Sequence, residues 1–174
     1  MGLEVQHLKM DYDGIHATHL WNSAEVGING RQKNWMAVPD KPFNYIATTS
    51  EKGTWVADIG RNAMTKIGEY DLNTAHRGNS PLLKTEDGYM TLTHVMDFDE
   101  RKRKRYVNHI VFYNKDLSVK SISKPFKFTD QNIEFATTFL DDGEDLLIGT
   151  TIFDDTPLLL RYGKDELLDI VSKE

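Results

Sequence analysis

Short runs in which apolar and polar residues alternate recur along the chain, each closed by a cluster of Gly, Pro, Asn or Asp, and this period of two predicts β-strands. Strands at 3–10 and 14–21 flank the turn Asp11-Tyr12-Asp13-Gly14, so an N-terminal hairpin is expected at 3–21. After a turn-rich break come strands at 33–38, 43–49, 53–59 and 64–71, with Pro39 and Pro42 limiting the first connection to a turn or an edge. A second group follows at 80–83, 89–95, 105–113 and 118–122, and a third at 133–140, 146–153 and 157–162. The Glu86-Asp87-Gly88 turn reads as a tight hairpin in which glycine supplies a positive φ. The tail departs from this pattern. Asp165-Glu166-Leu167-Leu168-Asp169-Ile170-Val171 has helical spacing with acids in its first turn, and reads as a short helix or a last strand.

The three groups are alike internally. Their second strands contain YIATT, MTLTH and LIGTT, starting at Tyr45, Met90 and Leu147, so the spacings are 45 and 57 residues. Units of four short antiparallel strands at such a period are the mark of β-propeller blades, and a meandering sandwich or barrel is the competing arrangement. The expected fold is therefore all-β and propeller-like, one domain over 1–174, with blade-like repeats at about 33–74, 80–124 and 133–171.

Blade geometry selects the candidate residues, because the innermost strand of each blade lines the central channel. Segments 33–35, 76–80 and 132–135 would face it, bringing Trp35, His76, Arg77, Asn79, Ser80 and Glu134 towards one funnel. The hairpin at Gly88 also brings Arg77 near His94, and Lys84, Tyr106 and His109 complete the set. Aromatic faces stack on the apolar side of a sugar ring while Arg, Asn, His and carboxylates bond its hydroxyls; Arg77 could equally grip a phosphate.

Composition narrows the partners. A net charge of −6 argues against nucleic acid, and the one basic run, Arg101 to Arg105, reads as a solvated hairpin tip beside Asp97, Asp99 and Glu100. With no cysteine, thiolate chemistry and disulfides are excluded, and the histidines lack the close spacing of a metal site. No apolar run has membrane length, so a soluble, cytoplasmic protein is expected.

The motifs HRGNSPLLKTEDGYMTLTH, YVNHIVFY and NIEFATTFLDDGEDLLIGTTIFDD, preceded by KNWMAV, resemble the later blades of five-bladed propellers related to inverting mannoside phosphorylases and to propellers found beside glycosyltransferases. The match runs from about Lys33 to Asp155. It implies a partial five-bladed propeller that binds a glycan or sugar phosphate, with inorganic phosphate as a co-substrate if catalysis occurs and no other cofactor. Arg77, Lys84 and His94 would serve phosphate or sugar hydroxyls, and Glu134 would accept from a hydroxyl. The acidic Glu-Asp-Pro-Arg-like motif that supplies the general acid of such enzymes is missing here, so recognition without independent turnover is expected, with an active phosphorylase or glycosidase and a structural interaction module as alternatives. Open flanks would favour a homodimer that completes the ring.

Overall fold

The structure is a computed structural model that describes residues 4–11, 14–22, 34–41, 44–49, 53–61, 63–68 and 76–172. Residues 33 and 69–74, at the ends of the first expected repeat, lie outside the described residues. Strands β1 (Glu4–Asp11) and β2 (Gly14–Asn22) form the opening hairpin as a separate two-stranded sheet. The first large sheet has the order β3 (Met36–Ala37), β4 (Asn44–Thr49), β5 (Gly53–Asp58), β6 (Ala63–Gly68). A second is built from β7 (Arg77–Gly78), β8 (Leu83–Lys84), β9 (Gly88–Phe98), β10 (Lys104–Asn114) and β11 (Val119–Ile122), in the order β7-β9-β10-β11 with β8 also on β9. The third contains β12 (Glu134–Asp141), β13 (Asp145–Ile152) and β14 (Thr156–Gly163), and helix α1 (Lys164–Ser172) follows it.

All pairings among the described residues are antiparallel, and the three similar segments at Tyr45, Met90 and Leu147 each fall on the second strand of a sheet. The fold is all-β and propeller-like, and no sheet closes on another to complete a ring among the described residues. The third sheet has three strands because its tail is helical. Asp165 and Glu166 stand where the N-terminal dipole favours anions, and Leu167 is buried against the sheet.

The second sheet is covered on both faces. Tyr89, Val111 and Tyr113 point towards the first sheet and pack with Met36, Val38, Ile46, Leu82 and Leu117. Met90, Leu92 and Ile110, one position out of phase, point the other way and pack with Ala136, Phe139, Leu146, Ile148 and Leu167. Alternation thus sends successive side chains into two cores, and each fully buried Leu or Ile contributes roughly 1.5–3 kcal/mol. Among the described residues, no helix is long and apolar enough to cross a membrane.

Two glycines at turns act differently. Gly143 has the positive φ, 86°, expected of a turn glycine. Gly88 does not; it is required because a Cβ there would lie 2.0 Å from the Tyr113 carbonyl oxygen across the ladder. Gly88→Ala must push β10 away and should lower unfolding free energy by about 1–3 kcal/mol in a urea titration. A loss below about 0.5 kcal/mol, the range of neutral surface changes, would show that the ladder end yields freely.

Candidate functional site

Strand alternation divides the polar cluster after residue 75 into two sets with different surroundings. His76, Gly78 and Ser80 face the first sheet; Arg77 and Asn79 face the third. Arg77 stands opposite His94 in the β7–β9 register, and Asn108 stands opposite His94 from β10. The His94 Nδ1 and the Asn79 Oδ1 are hydrogen-bonded, and a side-chain oxygen there as acceptor places the proton on Nδ1. Around this imidazole lie Tyr106, with ring centroids 4.6 Å apart, and Phe135 of β12 at 5.8 Å. Tyr106 and Phe135 also meet edge to face at 6.3 Å. Arg77, Asn79, His94, Tyr106 and Phe135 therefore form one cluster where the inner strands β7 and β12 approach β9 and β10. The half-buried Arg77 side chain makes no hydrogen bond or ion pair among the described residues.

The other candidate residues lie elsewhere. His76 accepts or donates through Nδ1 at 2.9 Å from Thr93 Oγ1, and its ring lies against His109 at 4.7 Å. The His109 Nδ1 donates to the Ser123 carbonyl at 2.9 Å. Ser80 Oγ shares a hydrogen bond with Thr91 Oγ1 and accepts from the Leu92 amide. These three side chains fill the space between the first two sheets. Trp35 is half-buried against Tyr45 of its own sheet, with centroids 6.3 Å apart. Lys84 pairs with Asp40 at 2.7 Å, and since it is in register with Tyr89 it sits about 17 Å along β9 from His94.

Glu134 is fully buried. One carboxylate oxygen accepts from the Asn108 amide and the Phe128 backbone N–H, at 3.2 and 2.5 Å; the other accepts from the Thr129 N–H and hydroxyl, at 2.8 and 2.5 Å. Both oxygens are thus spent on holding the 126–129 segment against β10, and Glu134 presents no free oxygen to a ligand. Phe135, its neighbour on the opposite face of β12, is the residue that reaches the cluster. Strand alternation within NIEF separates the two, but only the ladder partners reveal which of them points inward. No group of three His, Asp or Glu side chains among the described residues could hold a metal ion.

Neither the protein-family models nor the curated proteins contain a match to this sequence. Among solved structures, the chain is similar to β-1,2-mannobiose phosphorylase from Listeria innocua in complex with β-1,2-mannobiose, with a TM-score of 0.62 and 14% sequence identity. A related fold is shown. The similarity covers 97% of this chain and 56% of the phosphorylase, so the chain spans just over half the length of the structure that it matches.

The His76–His109 pair makes stability depend on pH. Burial, and secondarily the neighbouring His109, push the His76 imidazole from its ordinary 6.5 down to about 4; burial also lowers His109, opposed by its bond to Ser123. Between those values the unfolded chain binds a proton that folded His76 refuses, so the stability present above pH 6.5 is lost as pH falls towards 4. The His76 share is roughly 3 kcal/mol. Melting temperature should therefore fall from pH 7 to pH 4, and His76→Asn should flatten that slope. An unchanged slope in the variant would assign the acid sensitivity to other groups.

Proposed function

We propose that this chain is a carbohydrate-recognising relative of the glycoside phosphorylases, which holds a glycan or sugar phosphate at the Arg77, Asn79, His94, Tyr106 and Phe135 cluster and does not turn it over alone. The observation that carries this reading is the Arg77 guanidinium, without a partner among the described residues and held by register beside a wall of three rings. Rings supply apolar contact for a sugar face, and a guanidinium without an internal partner supplies paired donors for hydroxyls or phosphate. The absence of turnover is supported by Glu134. Inverting chemistry needs a carboxylic acid placed to protonate the leaving oxygen, and this buried carboxylate is fully engaged. The proposal extends to a homodimer, for which the outer face of the third sheet, with Leu140 and Leu159 exposed, offers apolar surface.

Calorimetric titration with β-1,2-mannobiose, with and without inorganic phosphate, tests the site. Arg77→Ala should weaken binding by about tenfold or more, as expected when a charged hydrogen-bond donor is lost. Lys84→Ala should leave it unchanged, since Lys84 is paired with Asp40 at the other end of β9. Equal affinity in wild type and a folded Arg77→Ala variant would remove the site assignment. Consumption of phosphate during the titration would establish the alternative, an active phosphorylase.

A further inference from the structure

The β9–β10 ladder runs further than its neighbours. The last contact of β7 on β9 is Arg77 with His94, and on the other side Tyr106 N–H donates to the Asn132 carbonyl at 2.7 Å. Beyond these points, Met96 to Arg105 stands as a two-stranded arm without a strand partner on either edge among the described residues. It is nevertheless well built. Asp99 closes the tip by accepting from the Arg101 and Arg103 amides and from Arg103 Nε, and Lys102 has the positive φ, 58°, that the turn requires. The cross-strand pair Asp97–Arg105, 2.7 Å apart, braces one face.

The opposite face carries different chemistry. Register places Phe98 across from Lys104 and Met96 across from Tyr106, on the same side of the ladder as His94 and Arg77. Phe98 is 56% exposed and Met96 36%, and the Lys104 ammonium lies 4.9 Å from the centre of the Tyr106 ring. One stripe of rings, a thioether and two cations thus runs about 13 Å from His94 to Phe98. Three of the nearby acids do not share it: Asp97 is on the braced face, Asp99 is turned into the tip, and Glu134 is buried. Ordered apolar groups left in water next to cations that form no ion pair among the described residues suit a ligand that is both amphipathic and anionic.

We propose that the arm extends the candidate site into a subsite for an oligosaccharide of several residues bearing acidic groups, such as uronates or phosphates. Phe98 and Met96 contact ring faces, and Lys104 meets the negative charge. This rests on the sugar-binding reading of the Arg77–His94 cluster and adds the length and charge of the ligand.

The test compares oligomannuronates of two and six residues, with neutral manno-oligosaccharides of the same lengths, by calorimetry on the full chain. The acidic hexamer should bind wild type about tenfold tighter than the acidic dimer, a gain that the neutral series lacks and that high salt screens. In the exposed-surface variant Met96→Ser/Phe98→Ser/Lys104→Gln the hexamer-to-dimer ratio should fall towards one. A ratio near one in wild type, or an unaltered ratio in the variant, would overturn the arm subsite while binding of the dimer sustained the cluster. No binding at either length would remove both. A variant that changes molar mass in solution but not the ratio would assign the stripe to a contact between protein chains, and would also overturn the proposal.

Discussion

Burial of both faces of the β9–β10 ladder is the constraint from which the rest follows. From Gly88 to Val95 every residue of β9 is buried, and so are residues 108–111 of β10. Side chains alternate across a strand, so such a run cannot be satisfied by a single neighbour; a sheet must cover each face. The first and third sheets are therefore packing requirements of the second. Without the third, Leu92 and Ile110 would return to water; without the first, Val111 and Tyr113 would.

The same packing explains why polar residues that look functional in the sequence have structural work. Between sheets, every buried hydroxyl, imidazole or carboxylate costs free energy unless it is hydrogen-bonded. Ser80 with Thr91, His76 with Thr93 and His109 with Ser123 meet that condition in the first interface. Glu134 meets it in the second by gathering four donors. These bonds are local, and they make the bonded inner polar groups poor ligands even though they lie on or near the inner strands.

Much of this architecture was legible. The hairpin turn before β9 joined the segment of Arg77 to that of His94, and the repeated second strands aligned across three sheets; the acidic tail left a helix and a last strand open, and it is the helix α1. What could not be read was which face of each strand another sheet would cover. His76, Arg77, Asn79 and Ser80 looked like one cluster because a sequence displays neighbours side by side, whereas a strand sends them to opposite faces. Phe135 was overlooked beside Glu134 for the same reason. Gly88 also shows that a turn-like signal can reflect close approach of a carbonyl rather than positive φ.

The remaining asymmetry lies along β9 itself. At its buried end the strand is held on both edges and both faces, which fixes the positions of His94 and, through register, of Arg77 and Asn108. At its far end the same ladder continues with no strand partner on either edge among the described residues, yet its turn and its brace remain bonded. A rigid base that becomes an ordered, uncovered extension is an economical way to hold side chains at a solvent boundary, because the geometry is set by the buried half while the surface half stays accessible. The ring cluster sits at that transition, where preorganisation and access coexist.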